Sequence, residues 1–155
     1  MKQLMHTVAL SLAVCLLLPA AVSAEEAQEG LKIQEVFRTY GKKRNVTMVE
    51  LSNEMLETFG MTHYRSIVIR DDPQALSAVR RCLEADQRGA RIIKEVTDGG
   101  GVVSAYYQLP ESGGGLNRFI LFKVNSRGVV TLVYIEGELD SEDLITILFT
   151  GSKDF

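Results

Sequence analysis

Residues 91–137 read RIIKEVTDGGGVVSAYYQLPESGGGLNRFILFKVNSRGVVTLVYIEG, and this stretch decides the fold. Runs of β-branched and aromatic residues predict four strands, over residues 91–97, 102–109, 118–124 and 129–136. The joints between them are rich in glycine, as tight hairpins require. Because connections this short cannot carry a parallel crossover, we predict that the four strands form an antiparallel meander.

Helices and strands alternate before this meander. Apolar residues at helical spacing predict a helix over residues 31–40, and residues 46–51 and 64–70 are typical of strands. A short helix over residues 53–59 is predicted between those strands. Another helix begins at the Asp-Pro pair of residues 72–73, because Asp accepts free amide protons at a helix start and Pro suits the first turn.

The acidic run at residues 136–143 holds five carboxylates and precedes the last predicted helix, residues 142–149. Such a run fits either a Ca²⁺ site or a helix start capped by Asp140 or Ser141. The helix dipole favours the helix start, so no metal site is predicted. Together the elements predict one α+β domain with a mostly antiparallel sheet of five to six strands. Three to four helices are expected to pack on one face of that sheet.

The first 24 residues are typical of a signal peptide. Lys2 gives a positive start, residues 8–18 are apolar, and Ala24 closes a small-residue cleavage pattern. The apolar run is shorter than the roughly 20 residues of a membrane span. We expect cleavage after Ala24 and export to the periplasm or cell envelope as a domain of residues 25–155 without a transmembrane segment. Lipidation at Cys15 is the less favoured alternative, because the apolar run continues past it.

Composition excludes several classes of function. The 155 residues carry a net charge of −3, whereas general nucleic-acid binding needs a strongly basic surface. Beyond the leader, Cys82 is the one cysteine and His63 the one histidine, so an intrachain disulfide is excluded. The glycine runs lie between strands and not before a helix, so they do not resemble phosphate loops. We predict no cofactor and no catalytic residue.

Two stretches resemble a known family. They are FRTYGKKRNVTMVELSNEMLETF at residues 37–59, and residues 93–148, which contain LVYIEGELD near their end. They resemble the exported proteins of the Domain of Unknown Function 4252 type and its relatives, found in Gram-negative bacteria. The resemblance implies secretion to the cell envelope and carries no established catalytic or binding residues.

Excess apolarity in the last strands is the clearest functional signal. Residues 120–122 and 132–135 are apolar at consecutive positions, and a sheet with two apolar faces must be covered twice or meet a partner. We therefore predict a non-enzymatic binding or interaction module. Its predicted binding residues are aromatic and guanidinium groups of the sheet, which commonly anchor interfaces: Tyr106, Tyr107, Arg118 and Tyr134.

The sequence leaves the partner and two other functions open. The partner is an envelope protein or a second copy of the chain, with a glycan or a lipid as further candidates. One other function is regulation of an envelope-stress pathway of the sigma and anti-sigma type. The second is a small envelope hydrolase that uses carboxylates such as Glu136, Glu138 or Asp140.

Overall fold

The structure is a computed structural model that describes residues 30–150, and the predicted signal peptide lies outside these residues. In chain order its elements are α1 (Ile33–Tyr40), β1 (Val46–Glu50), α2 (Asn53–Thr58), β2 (Met61–Ile69), α3 (Pro73–Asp86), β3 (Arg91–Asp98), β4 (Gly101–Leu109), β5 (Asn117–Val124), β6 (Val130–Gly137) and α4 (Ser141–Thr150). Within the described residues, four helices and six strands confirm the α+β class.

All six strands join one antiparallel sheet in the order β1-β2-β6-β5-β4-β3. Strands β3 to β6 pair in sequence, which confirms the predicted meander. Strand β2 adds to the other edge of β6, with Tyr64 opposite Ile135 and Ile69 opposite Val130. The last strand of the chain is therefore an inner strand that joins the two halves of the sheet.

The helices divide between the two faces of the sheet. Helices α1 and α3 cover one face, which we call the α1/α3 face. Their residues Phe37 and Val79 belong to the larger core. Helices α2 and α4 lie over the other, the α2/α4 face, with Leu56 and Leu144 in a second core. The expectation that every helix packs on one face is corrected here. The physical reason is that alternate strand residues such as Ile135 are apolar too and need their own cover.

Helix α1 is capped by a residue from helix α3. Its own N-cap residue, Lys32, makes no side-chain capping bond. Instead the buried Asp86 carboxylate accepts the amide of Lys32 at 2.7 Å and the amide of Ile33 at 2.8 Å. These are two of the free amides that a helix leaves at its start. One carboxylate thus joins the end of α3 to the beginning of α1 across more than fifty residues.

Gly137 determines how the chain leaves β6 toward α4. A Cβ atom added there would lie 2.8 Å from Leu139 Cδ2 and 2.8 Å from Met61 Cα, and it would also overlap the carbonyl of Gly60. The Glu138 amide then donates to that same Gly60 carbonyl at 3.0 Å. Glycine is required because the two chain segments approach each other too closely for a side chain.

Candidate functional site

The α2/α4 face is incompletely covered, and a cleft of about 520 Å³ opens beside α4. We call this cavity the α4 cleft. Its floor includes Tyr106, Leu121 and Val133, and its wall includes Ile145 and Leu148 of α4. Its volume falls in the range of roughly 300–1,000 Å³ that is typical of small-molecule sites.

Strand register builds the floor of the α4 cleft. Successive side chains of a strand point to opposite faces, so partners on neighbouring strands form rows across one face. Tyr106 pairs with Leu121, and Leu121 pairs with Val133. Helix α4 packs on the neighbouring Phe119 and Ile135 through the second core and leaves this row half-open.

The next row of the same face is polar. Ser104 pairs with Lys123, and Lys123 pairs with Thr131. A second lysine, Lys94, lies opposite Tyr106 at the β3 end of the apolar row. Both lysines line the cleft, and no acidic side chain of the described residues does so. Within residues 30–150, neither ammonium group forms an ion pair.

Tyr106 is the one predicted binding residue that lines the α4 cleft. Its hydroxyl donates to the carbonyl of Ser141 at 3.3 Å and so ties the sheet to the start of α4. Its ring packs against Phe119 with centroids 6.0 Å apart. Burial raises the pKa of Tyr106 to about 12, so the hydroxyl stays a neutral donor at physiological pH.

The other three predicted binding residues lie on the α1/α3 face. Tyr107 is buried and donates to the Glu95 carboxylate, because its neighbour Tyr106 takes the opposite face of the pleat. Tyr134 is fully buried and donates to Glu136 Oε2 at 2.6 Å. Arg118 Nε donates to the Pro110 carbonyl at 2.9 Å. The structure therefore does not bring the four residues together, and a binding role for these three stays a prediction.

A polar cluster occupies the end of the α1/α3 face around the buried Glu136. Arg118 and His63 are its partners on the two neighbouring strands. Burial, followed by the hydrogen bond to Glu136, raises the pKa of Tyr134 well above its ordinary range, so this phenol is a permanent donor. The Nδ1 atom of His63 is buried and has no hydrogen-bond partner among the described residues.

The acids named for a hydrolase are not gathered in one place. Glu136 is buried on the α1/α3 face, and Glu138 is exposed. Asp140 Oδ1 accepts the amides of Glu142 and Asp143 at 2.8 Å each, which confirms the acidic run as a helix start. Across residues 30–150, no three His, Cys, Asp or Glu side chains lie close enough together to hold a metal ion.

Sequence reasoning did not identify the two lysines of the α4 cleft. A local signal does exist, since Lys94 and Lys123 each interrupt an apolar run, in RIIKEV and FILFKV. To assign both lysines to one face, one must know how β3 pairs with β4, because the register of that pair shifts between Ile92 and Lys94. As for membrane insertion, none of the helices within residues 30–150 combines the length and the apolarity that a crossing needs.

Comparison with known proteins identifies a family without identifying an activity. The protein of unknown function PA94 from Pseudomonas aeruginosa is similar in structure at 15% identity, over 73% of this chain and 81% of that chain, with a TM-score of 0.34. A likeness this low carries no conclusion about either fold or function. No curated protein matches the chain.

The model of a family of unknown function, DUF6108, matches residues 20–148. This match confirms the expectation of an uncharacterised domain family and corrects its specific assignment to the Domain of Unknown Function 4252 type. The quoted motifs consist of core and turn residues, which packing and turn geometry select in many α+β domains, so they do not identify one family. The chain belongs to the family of unknown function DUF6108.

Proposed function

We propose that the protein is a non-enzymatic binding module of the cell envelope and that the α4 cleft is its binding site. The observation that carries this proposal is the half-open apolar row of Tyr106, Leu121 and Val133 beside α4. A concave apolar site with a few polar groups at its border is the usual form of a ligand pocket. Export is supported by the leader pattern of residues 1–24.

The geometry favours binding over hydrolysis. Hydrolysis by two carboxylates requires both groups to face one substrate. Glu136 instead accepts a hydrogen bond from Tyr134 inside the core, and Asp140 caps α4. The α4 cleft is lined by apolar, hydroxyl and ammonium groups, which bind and orient a ligand without a pair of acid and base groups.

Binding is tested with phenylnaphthylamine, a neutral apolar fluorophore that brightens when it leaves water. We expect the wild-type protein to bind it and Leu121→Gln to weaken binding about tenfold, because the floor loses roughly 1.5 kcal/mol of apolar contact. Val49→Gln is the matched control, since Val49 is 42% exposed and lies on β1, outside the cleft. Equal binding by all three proteins, or none by the wild type, would refute the proposal.

Export is tested separately by fractionating cells and sequencing the chain by mass spectrometry. The proposal expects a chain that begins at Glu25 in the periplasmic or envelope fraction. Leu16→Arg places a charge in the apolar run and should leave the uncleaved chain inside the cell. An uncleaved wild-type chain in the cytoplasm would refute export and leave the binding proposal in place.

A further inference from the structure

We infer that the α4 cleft binds a single-chain amphiphile with an anionic head group, of the chemical class of long-chain carboxylates. This inference rests on the proposed function and names the ligand class for the same site. The juxtaposition that carries it is an apolar row, Tyr106, Leu121 and Val133, flanked by the ammonium groups of Lys94 and Lys123.

The charge of the cleft has the opposite sign to that of the chain. The protein carries a net charge of −3, yet the two charged side chains that line the cleft, among those the structure describes, are both lysines. A generally basic surface therefore does not explain them. Neither lysine pairs with a carboxylate of the described residues. Two such cations beside an apolar floor are complementary to an anionic group that is attached to an apolar chain.

The strand positions let both lysines reach one head group. Lys94 is on β3 and Lys123 is on β5, two strands away and one row along. With strands about 4.8 Å apart and same-face residues about 6.8 Å apart, their Cα atoms are about 12 Å apart. Lysine has a long flexible stem, so both ammonium groups can converge above Ser104, which lies between them and adds a hydroxyl donor.

The extent of the site favours a single apolar chain over a protein partner. A stable protein interface buries about 800 Å² on each side. Six large apolar side chains are exposed among the described residues, and Leu148 is the one of these that lines the cleft. The other five are Val49 on β1, Met55 and Phe59 in or next to α2, and Ile92 and Val96 on β3. Of these five, Val96 lies opposite Ser104 at the border of the cleft, so the exposed large side chains at the cleft are Leu148 and Val96, which is little surface for a protein interface.

The test measures displacement of bound phenylnaphthylamine by three ligands of equal chain length, all below their micelle concentrations. These are dodecanoate, dodecanol and dodecyltrimethylammonium, added to protein purified without detergent. We expect dodecanoate to bind at least tenfold more tightly than dodecanol, and the cationic ligand to bind most weakly. Extending the carboxylate by one methylene should raise affinity about fourfold until the chain fills the cleft.

Lysine variants separate the head-group inference from cleft binding. The double variant Lys94→Gln and Lys123→Gln should abolish the preference for carboxylate over alcohol while leaving dodecanol affinity within about twofold. Lys42→Gln, an exposed lysine after α1, is the matched control and should keep the preference. All variants contain the same residues 1–24, so any binding of a ligand to this segment contributes equally to every measurement.

Four outcomes would overturn the inference. Equal binding of dodecanoate and dodecanol removes the anionic head group and leaves a cleft that binds apolar ligands. An unchanged carboxylate preference in the double variant shows that Lys94 and Lys123 do not recognise the head group, which removes the observation on which the inference rests. Failure of all three ligands to displace phenylnaphthylamine removes amphiphiles as the ligand class. A dimer in solution that Leu121→Gln dissociates would assign the cleft to a second copy of the chain.

Discussion

Asp86→Ala should lower the free energy of unfolding by about 3 kcal/mol. Asp86 is 8% exposed, and its carboxylate accepts two amides at the start of α1, a helix without a capping side chain of its own. A hydrogen bond to a charged group contributes about 1.5–3 kcal/mol, and the variant leaves both amides without their acceptor. Because the two bonds share one side chain, their sum is discounted to about 3 kcal/mol.

Urea unfolding followed by circular dichroism measures this change. We expect the midpoint to fall while the slope with denaturant stays the same, since the variant alters stability and not the surface exposed on unfolding. Glu84→Ala is the matched control, because Glu84 is exposed on the same helix. Equal midpoints for Asp86→Ala and Glu84→Ala would refute the capping role.

The same carboxylate gives a signed pH dependence. Burial raises the pKa of Asp86 above its ordinary 3.8, although the amides of Lys32 and Ile33 act in the opposite direction. The folded protein therefore binds more protons than the unfolded chain between pH 3.8 and the raised value. The contribution of this group to stability falls as the pH rises through that window. Asp86→Asn should flatten this part of the stability curve, and an unchanged slope would contradict the assignment.

Three further predictions concern Gly137, Tyr134 and Cys82. Gly137→Ala should lower the free energy of unfolding by about 3 kcal/mol and with it the melting temperature, because the added methyl group overlaps backbone atoms. Gly113→Ala is the control and should leave the melting temperature unchanged, because its methyl group meets open space. Tyr134→Phe should cost about 2 kcal/mol in urea unfolding, since it removes the donor to the buried Glu136 carboxylate; no loss would show that the bond is not formed. Burial raises the pKa of the Cys82 thiol, so iodoacetamide should label Cys82 slowly at pH 7 and faster in urea. Mass spectrometry of the peptide that contains Cys82 measures the labelling. Equal labelling rates with and without urea would contradict the raised pKa.

The pleat of β4 explains why Tyr106 and Tyr107 lie on opposite faces of the sheet. From sequence, Tyr106 and Tyr107 are equivalent aromatic residues of one strand. In the sheet, Tyr106 turns toward the α4 cleft, whereas Tyr107 belongs to the larger core and donates to the exposed Glu95. Aromatic character alone does not distinguish a ligand-facing side chain from a core side chain. That distinction depends on which face each helix covers.

Local chemistry makes the elements and their order predictable. The Asp-Pro start of α3 is confirmed by the bond from the Ala75 amide to Asp72 Oδ1 at 2.9 Å, and the glycine-rich joints lie at the ends of β3 to β6. Periodicity, capping and turn chemistry act within a few residues, so the sequence alone reveals them. Excess apolarity in β5 and β6 is a sequence signal too, and it indicates that both faces of the sheet need cover.

Tertiary structure alone decided how these elements meet. The pairing of β2 with β6, the division of helices between two faces and the Asp86 cap each join segments far apart in the chain. The cleft depends on the same long-range register, because a shift of one residue would turn Lys123 to the opposite face. The sequence therefore determined a two-sided apolar sheet in an α+β domain. Packing between distant segments determined where that sheet stays open and which charges surround the opening.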